Sequence, residues 1–175
     1  MRRRGVRQAG ALHPRTEASG VSSKTLVAYV SAGGATEQYA RVIADTLRSR
    51  GLEVDLTDLR RERVRDLSAY GTVVLGTGVR MAMVYRRSKR FLARKDLKGK
   101  RLAIYLSSGM AIDRPDEARE RFLAPLVKRN GLDPVRFDAF PGKMPGSGGK
   151  LEDRTDDDIA RRWAEELAGR LAAEA

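Results

Sequence analysis

A chain of 175 residues, 41% of them hydrophobic, is long enough for one well-filled domain and short for two. With no cysteine it forms no disulfide, thiolate nucleophile, iron–sulfur cluster or cysteine-ligated zinc site, and a single histidine, His13, argues against a histidine base or a His-rich metal centre. The formal net charge of +12 points to an anionic partner, and the scarcity of catalytic side chains leaves a bound cofactor to carry any chemistry.

Residues 1–23 show no hydrophobic periodicity and hold five arginines against one acid, Glu17. They are expected to form a basic disordered tail ahead of a single domain over 24–175, with a transit-like segment or an over-long translation start as the other readings. Met1-Arg2-Arg3-Arg4 has the charge of a signal-peptide start, but no apolar stretch follows it. No apolar run approaches the ~20 residues of a spanning helix. A cytoplasmic location is expected, with peripheral contact at a membrane surface.

From Lys24 the texture changes. Residues 25–30, TLVAYV, form a near-continuous apolar run, as a strand buried on both faces requires. A helix over 36–49 follows, with Tyr39, Val42, Ile43 and Leu47 at helical spacing and Gly51 as its stop. Residues 54–56 read as a second strand, and 58–69 as a short charged helix or loop. Residues 72–76, TVVLG, read as a third strand, and 82–94 as a basic helix with Tyr85, Phe91 and Leu92 available to pack. Residues 102–106 give a fourth strand. Pro115 opens a helix to about Arg129 that packs through Phe122, Leu123, Leu126 and Val127. Residues 135–140 give a fifth strand, and the Gly- and Pro-rich stretch 141–150 reads as loop. Thr155 is the expected N-cap of the last helix, where Asp156, Asp157 and Asp158 complement the helix dipole. Ile159, Trp163, Leu167 and Leu171 form its apolar stripe.

Five apolar strands alternating with helices imply a parallel sheet covered on both faces, a three-layer doubly wound α/β sandwich with right-handed crossovers. Ligands in such sheets bind outside the C-terminal strand ends. The loop after the first strand reads Ser31-Ala32-Gly33-Gly34-Ala35-Thr36, two hydroxyls and two glycines before a helix N-terminus, which suits a phosphate. It lacks the lysine of a P-loop. The loops after the third and fourth strands, Gly76-Thr77-Gly78-Val79-Arg80-Met81 and Ser107-Ser108-Gly109-Met110-Ala111-Ile112, are small and rich in accessible backbone. They suit the edge of a planar ring. The Gly-x-Gly in the former follows the wrong strand for a dinucleotide fingerprint.

Residues 24–40, KTLVAYVSAGGATEQYA, resemble the opening of flavodoxin domains, with Ser31, Gly34 and Thr36 on the phosphate-loop pattern and Ala35 in place of a common hydroxyl. Residues 72–81, TVVLGTGVRM, resemble the second flavin loop of that family, and Ser107–Gly109 occupies the third. The resemblance spans about residues 24–172. It implies strand order 2-1-3-4-5 and FMN held by Ser31, Ala32, Gly33, Gly34, Ala35, Thr36, Thr77, Gly78, Val79, Arg80, Met81, Ser107, Ser108, Gly109 and Met110. No aromatic stands in the third loop, so Met81, Met110 and Ile112 are the expected ring contacts. Spacing and the helix bearing Trp163 resemble the short domains related to menaquinone-dependent protoporphyrinogen oxidases. That likeness implies oxidation of a reduced anionic substrate such as a porphyrinogen, with a quinone as acceptor. The segment after the fifth strand departs from it in being short and glycine-rich. A receiver domain shares the strand order, but its clustered aspartates are missing from the first strand.

Between Arg80 and Arg101 there are ten Lys or Arg residues and one acid, Asp96. Arg87, Arg90 and Arg94 fall on one helical side with Arg86 adjacent, an expected dock for an anionic substrate, a redox partner or an acidic membrane surface. Few aromatics and no recognised motif argue against nucleic acid. Two readings follow. One is an FMN-dependent oxidoreductase or electron carrier in which Arg80 lies near ring or substrate, with a homodimer among its expected assemblies. The other is a flavin-free module on the same fold, binding an anionic partner through the basic helix.

Overall fold

The interior parallel strands are apolar on both faces of the pleat because helices cover both sides of the sheet, while the two outer strands carry charged residues. In the computed structural model, which describes residues 24–175, these strands are β1 (Lys24–Tyr29), β2 (Val54–Asp58), β3 (Tyr70–Arg80), β5 (Arg101–Ser108) and β6 (Arg136–Pro141). The expected tail, residues 1–23, lies outside the described residues. The strands run in the order β2-β1-β3-β5-β6, all parallel, which is the expected 2-1-3-4-5 arrangement.

Alternation sends successive residues to opposite layers. Val27, Tyr29, Val74, Ala103 and Tyr105 face α1 (Ala35–Ser49) and α5 (Asp157–Ala173), which bring Tyr39, Ile43, Leu47, Trp163 and Leu167. Leu26, Ala28, Val73, Leu75, Ile104 and Leu106 face the other way. There they meet Phe91 and Leu92 of α2 (Arg86–Leu92), and Phe122, Leu123 and Leu126 of the helix opened by Pro115. That helix is continuous but not uniform. A π-helical stretch, Arg119–Leu123, separates α3 (Pro115–Ala118) from α4 (Ala124–Arg129). The lone tryptophan closes the first layer, donating from Nε1 to Asp138 Oδ2 at 2.7 Å.

Three expectations are corrected. The basic helix does not begin at residue 82. β3 continues through Arg80, turns at Met81 and Ala82, and returns as β4 (Met83–Val84), so α2 starts only at Arg86. Met81 and Ala82 take φ values of 50° and 58°, as the two-residue hairpin turn that matches strand twist demands. Neither is Gly, Asn or Asp, so the turn carries no sequence signal. The stretch 141–150 is not all loop. It holds β7 (Lys143–Pro145), which pairs antiparallel with β8 (Leu151–Asp153). Thr155 is not the N-cap. Asp156 caps α5 by accepting from Asp158 N at 2.9 Å, while Thr155 Oγ1 donates to Asp153 Oδ1 at 2.6 Å. Between β2 and β3, residues 59–69 form neither helix nor strand.

Gly76 sets the tightest packing in the sheet. It pairs in register with Tyr29 on β1 and Tyr105 on β5, and the Tyr105 ring lies flat over it. A methyl on Gly76 would fall 2.1 Å from the Tyr105 hydroxyl and 2.2 Å from Cζ, with Tyr105 fully buried and unable to swing aside. Gly76→Ala is therefore expected to destabilise the fold by about 1–3 kcal/mol or more. Urea unfolding checks it, and a loss below about 0.5 kcal/mol would mean the ring has room that this packing denies.

Candidate functional site

The C-terminal edge of the sheet gathers three chain segments around one polar point. Thr36, in the first turn of α1, and Ser107, near the end of β5, are both buried and share a hydrogen bond of 2.7 Å between hydroxyls. Gly78 pairs with Ser107 in the sheet, and a methyl there would lie 3.3 Å from Thr36 Oγ1. The bare backbone of β3 thus closes the third side. Thr36 is placed from below, since the Tyr105 hydroxyl donates to the Thr36 carbonyl at 2.8 Å.

The first loop is built to present donors. Gly34 adopts φ 88°, a left-handed conformation that a Cβ disfavours, and its N–H donates to Ser31 Oγ at 3.1 Å. The α1 N-terminus has no side-chain cap, and the first N–H groups of a helix lack intrahelical partners. Arg60, from the segment after β2, donates to the Ser31 carbonyl at 2.7 Å and braces the loop.

Alternation sorts the other expected residues. Thr77 points away from this point, donating at 2.7 Å to Ser88 Oγ inside the α2 layer, where both are fully buried. Val79 and Met110 also pack toward that layer. Thr77, Val79 and Met110 therefore offer the site backbone only. Ser108 Oγ accepts from Met110 N at 3.1 Å and shapes the turn at Gly109. Arg80 and Met81 stand on the β3–β4 hairpin, Met81 being 88% exposed at its tip. Ala32 and Gly33 are exposed, while Ala35 is buried at the start of α1.

Three contributors were not expected from the sequence. Tyr85 packs against the α2 layer as expected, just ahead of the helix, and its ring also reaches the end of β3, 3.0 Å from where a Gly78 methyl would be. An aromatic ring thus stands beside Gly78 at the sheet edge. Lys143 and Met144 were assigned to a loop. In the β7–β8 hairpin, Lys143 Nζ lies 3.5 Å from the position of a Gly34 methyl, and Met144 Cβ lies 3.2 Å from that of a Gly109 methyl. The hairpin springs from Gly142, whose N–H donates to the Ser108 carbonyl at 3.0 Å. Among the described residues the exposed large apolar side chains, Met81, Met83, Met144 and Leu151, all stand on the two hairpins.

The basic helix is only in part a free surface. Arg87 donates to the Leu59 carbonyl at 2.9 Å. Arg94 donates to the carbonyls of Val64 and Arg65 and pairs with Asp96. Two of the four expected docking arginines thus bond to the 59–65 segment, Arg94 half-buried and Arg87 still exposed beside Arg86 and Arg90. Among the described residues no helix is long and apolar enough to cross a membrane.

A family model described as a flavodoxin domain matches residues 26–155. The chain belongs to the flavodoxin domain family. Solved flavodoxins share its fold at low identity. The Streptococcus pneumoniae TIGR4 flavodoxin is 19% identical with a TM-score of 0.62, over 86% of this chain and 99% of that one. Flavodoxin 2 from Bacillus cereus is 22% identical with a TM-score of 0.60, over 87% and 99%. Rubredoxin oxygen:oxidoreductase from Desulfovibrio gigas is 18% identical with a TM-score of 0.60, over 86% of this chain but 36% of that protein. No curated protein matches at the level of sequence.

Behind the site, Tyr39 ties α1 to the segment that carries the hairpin. Its hydroxyl donates to the Pro141 carbonyl at 2.5 Å and accepts from Asp156 N at 3.0 Å. Burial is the main cause that pushes its phenol from 10.0 up to about 12, and burial raises Tyr105 as well. In the unfolded chain these phenols ionise near 10 while the folded ones keep their protons, so the folded state binds more protons in that window. Stability is expected to be unaffected by these groups below pH 10 and to fall as pH rises from about 10 to about 12. Chemical denaturation across that range checks the sign, and Tyr39→Phe is expected to flatten the slope.

Proposed function

We propose that this flavodoxin-family chain binds one FMN at the C-terminal edge of its sheet and serves as an electron carrier. The observation that carries the reading is the meeting of Thr36, Gly78 and Ser107, which gathers the first, second and third loops at one point. Flavodoxin homologues bind FMN. The residues present fit that group. An uncapped helix N-terminus, the left-handed Gly34, and the hydroxyls of Ser31 and Thr36 form a donor set for a phosphate. The backbone around Gly78 and Ser107–Gly109 offers N–H and C=O groups to the edge of a ring, with the Tyr85 ring beside Gly78.

When bound, FMN supplies the electron-transfer chemistry, and the protein supplies binding, orientation and local electrostatics. Thr36 and Ser107, buried and bonded to each other, hold their hydroxyls in one arrangement before any ligand arrives. Little reorganisation is then needed on binding. The exposed methionines of the two hairpins, with Arg80, Arg86 and Arg90 nearby in sequence, give a redox partner an adaptable apolar contact within a positive field.

The carrier reading is preferred to an enzyme of defined substrate. The match to the D. gigas oxidoreductase covers about a third of that protein, so its activity does not transfer to this chain. For porphyrinogen oxidation with a quinone acceptor no observation speaks. The span between β6 and α5 is occupied by the short β7–β8 hairpin. The flavin-free module is weakened by Arg87 and Arg94, which already hold their own chain.

Purified protein mixed with FMN and desalted is expected to retain yellow flavin absorption. Thr36→Val is expected to weaken FMN binding about tenfold or more, the worth of a lost charge-assisted hydrogen bond. A colourless wild type that takes up no FMN would sink the proposal. A Thr36 variant of undiminished affinity would remove Thr36 from the phosphate site.

A further inference from the structure

A phosphate monoester carries about −1.5 to −2 charges near neutral pH. The first loop, residues 31–36, contains no cation, and the end of α1 contributes only about half a positive charge. Hydrogen bonds alone would leave most of that negative charge uncompensated. The structure brings a cation to the place by another route.

Lys143 is the first residue of β7 and pairs in register with Asp153 on β8. Its ammonium lies 3.5 Å from the Asp153 carboxylate, and the side chain is three-quarters covered. The same ammonium borders Gly34, 3.5 Å from where a Cβ would be. The hairpin has little freedom to carry the lysine elsewhere. Gly142 N–H is bound to the Ser108 carbonyl, Arg154 N–H closes the base onto the Gly142 carbonyl at 3.2 Å, and Met144 rests on Gly109. Asp153 is fixed in turn by Thr155, which donates to it from both backbone and hydroxyl. The β7–β8 hairpin therefore links the third loop to the first and sets one tethered ammonium, shared with Asp153, beside the left-handed glycine.

We propose that Lys143 is a cofactor-binding residue that donates a charge-assisted hydrogen bond to the FMN phosphate and makes this site select the phosphorylated flavin over riboflavin. The proposal rests on the FMN reading above. Asp153 acts as a positioning residue. It holds the ammonium over the first loop in the free protein and, being a single carboxylate on a shared lysine, leaves donors free for the ligand. Arg60 stands on the same loop with a different task, since its bond to the Ser31 carbonyl shapes the backbone.

The test is titration of full-length wild type, Lys143→Gln and Lys143→Arg with FMN and with riboflavin, at low and high salt, followed by flavin fluorescence. Wild type is expected to prefer FMN, with an affinity that falls as salt rises. Lys143→Gln is expected to lose about tenfold or more in FMN affinity, to leave riboflavin affinity unchanged, and to flatten the salt dependence. Lys143→Arg is expected to recover most of the loss. Equal FMN affinity in wild type and Lys143→Gln would overturn the proposal while leaving the flavin site standing. An equal loss for both flavins would also overturn it, because Lys143 would then act through the hairpin and not through the phosphate. Wild type that binds neither flavin would remove the FMN reading and this proposal together.

Discussion

One hydrogen bond between the sheet and α1 fixes the polar point at the C-terminal edge of the strands. The phenol of Tyr105, fully buried, donates to the carbonyl of Thr36 and so pins the first turn of α1 against the interior strand β5. Burial makes the bond hard to give up, because a buried carbonyl without its donor carries the full cost of desolvation. With Thr36 fixed from below, its hydroxyl meets Ser107 two residues further along the same strand. The uncapped end of α1 then opens over the sheet edge beside Gly78. The aromatic layer beneath is cross-braced, since Tyr105 stacks on Phe140 at 5.4 Å and both meet the edge of Trp163. A helix start held this firmly is a fixed donor array, which is what an anionic group needs from a backbone that has little lysine or arginine in the loop itself.

Two hairpins extend the strand framework past the sheet and complete the edge. The first continues β3 outward through Met81 and Ala82 and returns Tyr85 to Gly78. The second rises from β6, bonds back to Ser108, and lays Lys143 beside Gly34. Rigid layers place the hydroxyls and the bare backbone, while the hairpins add an aromatic ring, a cation and exposed methionines. This division suits a protein that must hold one group firmly and meet a partner loosely. The positive charge is distributed in the same spirit. Arg87 and Arg94 bond to the 59–65 segment, and Arg86 and Arg90 are left to the solvent.

The layers and the strand order were legible in the sequence because they rest on burial. Residues 26–30 and 73–75 are apolar throughout, and a run that short, bounded by turn residues, is what a strand covered on both faces uses. Ser31, Gly34 and Thr36 stand in the sequence as glycine and hydroxyls ahead of a helix, and the structure places them at the start of α1, with Gly34 left-handed. The hairpins were not legible, for two reasons. The first turns at Met81 and Ala82, residues with no preference for positive φ, so local chemistry gave no warning and the tertiary pairing of β3 with β4 won. The second lies in a stretch of Gly and Pro that reads as loop, and its strands are only three residues each, below the length at which alternation shows. Thr77 was misplaced by the same kind of limit. Its type suited the site, but strand parity turned it to Ser88, and parity depends on where β3 ends. Thr155 lost the cap to Asp156 because its own hydroxyl was taken by Asp153.

The contact between Gly76 and Tyr105 has a consequence for how such a chain can change over generations. The two residues face each other across neighbouring strands, and the ring fills the volume that any side chain at 76 would need. Neither position is free to drift alone. A larger residue at 76 is admissible only in a background where 105 has already shrunk. A smaller residue at 105 surrenders both the ring that fills the layer and the phenol that anchors Thr36. The pair is inherited as one unit, and through it the backbone of β3 is kept bare along the line that leads to Gly78. Among distant members of the family, the order in which these two positions were exchanged would record the path by which one arrangement of the sheet edge gave way to another.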